Sequence, residues 1–315
     1  MMNENGKNQR IIIKEFGKGI SLSSPVWSPD GKKILFLKVN NLQKKWSLWI
    51  MDAKGREQIE VAKENFIISS PTWLPTGNEL SVSSKYNGYW QIWIMNINEK
   101  KWKRLTDTPI NKIGMQYSLD GKKICFISQE DGKGDILEKI GMPLKYRKFD
   151  IYVIDADGKN LKKLTSNPSN DEEPCWSPDG EKIVYSSFCD GNYEIFVIDK
   201  DGNNLKRLTY NSVNDFVPTW SPDGKKIAFV SDGMLYLMDP DGKNQVKLTD
   251  KTQCYAADVI WSPDSKKIAF IDVGNASNNY NTDIYIIDIS GKNLKNVTNT
   301  PDWYESGLSW RPMVK

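Results

Sequence analysis

Asp171, Asp215 and Glu305 each stand five residues ahead of a tryptophan: Trp176, Trp220 and Trp310. Carboxylates recurring at one fixed offset can do several kinds of chemistry. Two of them about 5–9 Å apart can divide acid and base roles in hydrolysis or elimination. Several together can hold a hard cation, which for calcium means about six to eight oxygens. They can also form an acidic surface for a basic peptide. Glu172, Glu173, Phe216, Trp303 and Tyr304 are sequence neighbours of the three, and Asp258 lies close to the equivalent place in another copy. Lys112, Ile68 and Ala256 occupy the same offset elsewhere. No DxDxDG loop is present, so any metal site would have to be assembled from separate segments. The expectation is no cofactor, with calcium as the alternative.

The chain has no histidine. That excludes Ser-His-Asp and Cys-His catalysis, His-ligated metals and His-based pH switching. Four cysteines (Cys125, Cys175, Cys189 and Cys254) are scattered without a CxxC. Buried free thiols are the simplest reading, with a disulfide or a metal left open. Lysine and arginine total 43 against 40 acidic residues, a net charge of +3. So even a balance argues against dedicated nucleic-acid binding. No apolar run approaches the ~20 residues a bilayer span needs, and membrane insertion is not expected. The opening "MMNENGKNQR" lacks the apolar core of a secretory signal. Either the protein stays inside the cell or a signal has been removed; the compartment stays open.

These residues sit within a repeat. "VWSPDGKKILF" (26–36) returns as "CWSPDGEKIVY" (175–185), "TWSPDGKKIAF" (219–229) and "IWSPDSKKIAF" (260–270). Its anchor recurs at Trp27, Trp73, Tyr117, Trp176, Trp220, Trp261 and Trp310, in steps of 41–59 residues. Within each unit a short strand ends at the anchor and meets a Ser-Pro-Asp-Gly turn. Proline presets φ for that turn, and glycine takes its left-handed residue. An apolar strand such as "KIAFVS" follows, then a variable loop and a third strand such as "DIYVID" or "EIFVID". A second turn, "DADGKN" or "DPDGKN", leads to "LKKLT" or "LKRLT". Four short strands per unit and a period in the forties are the signature of propeller blades.

The pattern "PxWSPDGKKIAF…IYVIDxDGKNLKRLT" resembles the WD40-like (PD40) repeat of TolB-like propellers. Related blades occur in the tricorn protease and in prolyl-oligopeptidase-type peptidases. The resemblance spans roughly residues 20–310. It implies an all-β, six-bladed β-propeller of four-stranded antiparallel blades, with a periplasmic or extracytoplasmic location suggested by the family. The α/β domain of TolB and the hydrolase domain of the peptidases have no counterpart here, and no GxSxG elbow is present. Residues 1–315 read as one propeller domain, with Trp310 in a closing segment. Counting "IIIKEF" (11–16) as a terminal strand gives 26 strands where six blades need 24 and seven need 28. Six blades with overlapping termini is the preferred count; seven is the alternative. Each anchor is expected to wedge between neighbouring blades.

Alternating strand direction puts the tight, lysine-rich turns on one face and the variable loops on the other, where binding residues usually gather. The first strands should line the central channel, so Asp171, Asp215, Glu305 and Asp258 would ring its mouth beside Phe216, Trp303 and Tyr304. Tyr86, Tyr89, Trp90, Tyr193 and Tyr280 add aromatics from the loops between second and third strands. The long loop 129–150, whose "DILEKIG" could form two helical turns, joins the same face. The leading expectation is a monomeric, non-catalytic scaffold that binds a protein or peptide through this face. A carbohydrate- or ligand-sensing propeller and a carboxylate-based hydrolase or lyase are the alternatives.

Overall fold

A computed structural model describes residues 19–62, 68–129, 148–250, 256–274, 282–298 and 307–313. Within them, 24 strands form six antiparallel four-stranded sheets, each made of consecutive strands. The sheets span 20–62, 68–104, 113–163, 171–207, 215–247 and 256–296, here blades 1 to 6. The fold is a six-bladed β-propeller. "IIIKEF", "DILEKIG", Tyr280, Trp303, Tyr304 and Glu305 lie outside the described residues. By contact density the chain forms two compact units, Phe66–Trp220 and Met1–Asn65 with Ser221–Lys315.

Both turns carry the chemistry their sequences promise. In the first, the serine hydroxyl donates to the aspartate, as in Ser28 to Asp30 (2.6 Å), Ser118 to Asp120 (2.7 Å) and Ser221 to Asp223 (2.7 Å). In the second, the opening aspartate takes an asparagine five residues on and a lysine from the second strand. Asp155 accepts from Asn160 (2.7 Å) and Lys123 (2.7 Å), and Asp288 from Asn293 (2.6 Å) and Lys267 (2.6 Å). The lysine bond, with Asn160, holds the Asp155 carboxyl below its ordinary value. Gly158 in this turn has φ +88°, and a Cβ there would come 2.5 Å from the carbonyl oxygen of Leu105 in blade 2. The repeated glycine is a packing requirement as well as a turn requirement.

The first strand of each blade holds a feature that the alternation pattern hides. The residue three before every anchor is left-handed: Ser24, Ser70, Gly114, Glu173, Val217, Asp258 and Gly307, with φ between 48° and 70°. The pairing register slips at this point in blades 1, 2, 3, 4 and 6, for example between Glu172 and Cys175, so their first strands are bulged. Val217, β-branched and at φ 51°, is held there by Glu173, whose Oε2 accepts its N–H at 2.6 Å.

In the Phe66–Trp220 unit, one core joins Cys125, Ile151 and Val153 of blade 3 to Trp176, Ile183, Tyr185 and Ile198 of blade 4. Another joins Ile92 to Met115, Phe126 and Tyr152. Trp73, Trp176, Trp220 and Trp261 are buried as expected of wedges, whereas Trp27, Tyr117 and Trp310 are half-buried. Near Trp27, Ser309 Oγ accepts its N–H (3.3 Å) and Arg311 Nε donates to the Gly31 carbonyl (2.9 Å). The segment around Trp310 thus packs on blade 1 without adding a strand. Cys125, Cys175 and Cys189 are free thiols, and burial pushes all three up.

Candidate functional site

In blades 2 to 4 the loop ends share one frame. The residue opening the third strand's apolar run donates its N–H to a threonine hydroxyl: Ile92 to Thr106, Ile151 to Thr165 and Ile195 to Thr209. The aromatic two residues earlier donates its N–H to an asparagine six before the next anchor. These pairs are Trp90 to Asn111 (2.8 Å), Phe149 to Asn170 (2.9 Å) and Tyr193 to Asn214 (3.0 Å). The residue after Asn111 and Asn170, five before its anchor, returns a backbone bond, Lys112 to Trp90 and Asp171 to Phe149. Three aromatics are therefore fixed in place by side chains of the following loop. The signal was present in "INK", "SND" and "VND", where asparagine precedes the offset-five residue, but offset five drew attention and offset six did not.

Asp171 and Asp215 both lie at that offset, and both are fully buried. Asp171 Oδ1 accepts from Ser187 Oγ at 2.5 Å, and Asp215 Oδ2 accepts from Asn211 Nδ2 at 2.8 Å. Burial raises the Asp171 carboxyl to about 6, against the opposing hydrogen bonds of Ser187 and Thr165 and with help from the Asp150 charge. Lys112, also fully buried, is pushed down to about 7 by the same cause. Among the described residues, no cluster of three or more acidic, cysteine or histidine groups could hold a metal.

The raised Asp171 value has a consequence for stability. Its folded value lies above the ordinary 3.8. The stabilisation from protonating it in the fold is complete below about pH 4 and is lost as pH rises through about 6. Two units correspond to about 2–3 kcal/mol. Asp171→Asn should therefore be more stable than wild type at pH 7.5, with the advantage gone at pH 4. Urea unfolding at the two pH values measures this; an unchanged difference between the proteins would refute it.

The exposed part of the site is aromatic. Tyr193 packs against Phe216 with ring centroids 4.7 Å apart and against Phe188 at 5.2 Å, edge-on. Asn170 Nδ2 donates to the Tyr193 hydroxyl and to Glu172 Oε1, each at 2.7 Å. Burial raises the Tyr193 phenol. Glu173 reaches solvent, yet its carboxylate is crowded by protein; that desolvation raises it despite the bonds from Val217 and from Ser186 (2.8 Å). All three rings are partly open to solvent. Phe188 and Asn170 were not singled out by sequence reasoning.

Tyr86 and Trp90 share blade 2, each with a neighbouring cation over its ring. Arg104 stacks over Tyr86 at 3.7 Å, and Lys85 lies over Trp90 at 5.5 Å. Asp258 belongs to the other unit, where its carboxylate accepts backbone N–H groups of Leu308 and Gly307 while desolvation raises it.

A family profile described as the TolB beta propeller domain (PD40) matches residues 1–142 and 138–234. The Tol-Pal system protein TolB of Anaeromyxobacter dehalogenans (strain 2CP-C) is 31% identical over 131 residues, covering 42% of this chain and 26% of that protein. A protein of Agrobacterium fabrum, Atu1656, is 26% identical over 164 residues, covering 50% and 52% of the two chains. The chain thus spans about a quarter of the TolB relative's length. Among solved structures, a putative TolB from Agrobacterium tumefaciens aligns with TM-score 0.59 at 21% identity, over 80% of this chain and 87% of that one. An oligogalacturonate lyase from Vibrio parahaemolyticus aligns with TM-score 0.70 at 13% identity, over 89% and 79%. At such identities these structures speak for the fold alone.

Proposed function

The chain belongs to the TolB β-propeller domain family, and from that premise we propose that it is a non-catalytic scaffold binding a protein or peptide partner through its loop face. The shelf of Phe188, Tyr193 and Phe216 carries this reading. Rigid aromatics offer large contact area at little entropic cost, and they dominate binding energy at protein interfaces. Here the shelf is preorganised, because Asn214 holds the Tyr193 backbone and Asn170 holds its hydroxyl. Glu172 and Glu173 flank it, so the partner segment should pair apolar or aromatic groups with a basic residue. Calcium is not needed for this contact. The carboxylates an enzyme would use, Asp171 and Asp215, are instead buried and bonded within their own blades and loops.

Peptides selected by display on the wild-type protein supply the test. Tyr193→Ala and Phe216→Ala should each weaken the selected peptides roughly 10- to 100-fold, the range of interface anchors, while circular dichroism stays unchanged. Peptides that bind both variants as well as wild type would refute the shelf as the contact.

A further inference from the structure

Residues 307–313 lie between blades 6 and 1 and are bonded to both as a blade's first strand is bonded to its neighbours. Glu173, three before the anchor of blade 4, accepts the N–H of Val217, three before the anchor of blade 5 (2.6 Å). In the same way Asp258, three before the anchor of blade 6, accepts the N–H groups of Gly307 and Leu308, and Gly307 stands three before Trp310. On the other side, Gln116, just before the anchor of blade 3, accepts the N–H of Trp176, the anchor of blade 4 (2.7 Å). Ser309, just before Trp310, likewise accepts the N–H of Trp27, the anchor of blade 1 (3.3 Å). The segment thus copies an inner strand at both of its flanks, although it belongs to none of the six sheets.

Its side chains divide by alternation. Leu308 and Trp310 pack on the blade 6 cluster of Ala269, Ile286 and Val297. Ser309 and Arg311 turn to blade 1, where Arg311 Nε donates to the Gly31 carbonyl (2.9 Å) and the guanidinium lies over the Trp27 ring at 5.3 Å. Gly307 has φ +70°, and a Cβ there would come 3.1 Å from Pro25 Cδ, so the close approach to blade 1 calls for glycine. The grip is nevertheless weaker than that of a blade. Trp310 is half-buried where Trp176 is buried. Trp176 Nε1 donates to the Gln116 carbonyl, whereas Trp310 Nε1 is buried without a hydrogen-bond partner, which is costly.

We propose that the seam between blades 6 and 1 is a peptide groove, filled in cis by residues 307–313 as a removable strap. It takes an incoming peptide of the strap's own chemistry: glycine, an apolar residue, a small hydroxyl residue, an aromatic and an arginine, in that order. Six four-stranded sheets are complete without the strap, so it can leave without dissolving any of them. Local opening draws on such weakly held parts of a fold. The docked strap lowers the apparent affinity for an incoming peptide by the fraction of seams that stand open. The groove belongs to the unit of Met1–Asn65 with Ser221–Lys315, whereas Tyr193 and Phe216 belong to the other.

The test uses the full chain carrying Gly307→Val and Trp310→Ala, which disables the strap and keeps every residue of the groove. A labelled, acetylated peptide of residues 307–313 is titrated and followed by fluorescence anisotropy. The variant should keep the far-ultraviolet circular dichroism of the blades. It should bind the peptide saturably and roughly tenfold or more tightly than wild type, whose own strap competes. Bound peptide should also raise its Tm toward that of wild type. Arg311→Ala in the peptide, or Asp258→Ala added to the protein, should each weaken binding about 10-fold. Loss of the folded signal in the strap variant overturns the proposal, because the blades would then not stand without the strap. So does an absence of saturable binding, or equal binding to variant and wild type. Binding abolished by adding Tyr193→Ala would place the peptide on the aromatic shelf and overturn it as well.

Discussion

Trp176→Ala should cost about 3–5 kcal/mol of unfolding free energy, the range for deleting a buried large aromatic. Trp176 is 5% exposed and sits where the cores of blades 3 and 4 meet, against Cys125, Ile151, Val153 and Tyr185. It also has two polar ties to blade 3: its N–H donates to Gln116 Oε1 (2.7 Å), and its indole Nε1 donates to the Gln116 carbonyl (3.2 Å). The substitution opens a cavity between blades and leaves the Gln116 carbonyl without its indole donor, so the two losses add. Trp27→Ala should cost distinctly less, because Trp27 is half-buried. Urea denaturation midpoints at unchanged m-value make the comparison. A loss under about 1 kcal/mol at Trp176, or equal losses at both positions, would contradict the wedge assignment.

That contrast shows where repetition informs and where it misleads. An anchor recurring at seven places implies seven equal wedges, yet Trp27, Tyr117 and Trp310 are only half-buried. The surroundings of Trp27 and Trp310 depend on the 307–313 segment, which matches the other units at its left-handed glycine and anchor but contributes no strand. The blade count and the turns were legible because Ser-Pro-Asp-Gly and Asp-Gly-Lys-Asn carry local chemistry that hardly depends on tertiary context. The left-handed position three residues before each anchor was not legible. It is occupied by serine, glutamate, valine, aspartate and glycine alike, so it is imposed by the sheet and not by the propensity of the residue.

The site divides along the same line. Tyr193 and Phe216 were visible as aromatics in variable loops, and the structure stacks them. Asp171 and Asp215 were visible as a periodic pair of carboxylates, but sequence carries no sign of burial. Lys112 at the same offset looked like an exception, and its burial was equally hidden: its ammonium donates to Gln91 Oε1 (2.9 Å) and to the Thr108 and Ile110 carbonyls.

Glu194→Ala should also cost about 3–5 kcal/mol, for an electrostatic reason. Glu194 is fully buried, and its Oε1 accepts from Arg207 Nη2 (2.9 Å), Asn192 Nδ2 (2.8 Å) and the Asn211 N–H (3.0 Å). Truncation leaves a largely buried guanidinium with Asp190, an exposed residue, as its remaining carboxylate partner (2.7 Å), and breaking a buried pair on one side is the costly case. Glu194→Gln keeps an acceptor at Oε1, and glutamine already serves at the equivalent Gln91, so its cost should be about 1–2 kcal/mol. The damage should also reach the shelf. Asn211 is anchored by Glu194 and in turn holds Asp215, the residue preceding Phe216. Glu194→Ala should accordingly weaken the display-selected peptides and speed amide exchange over 211–216, although Glu194 itself is buried. Equal stability losses for the alanine and glutamine variants would show that the charge pair is not what holds this joint. Peptide binding untouched in Glu194→Ala would show that the loop keeps its shape without it.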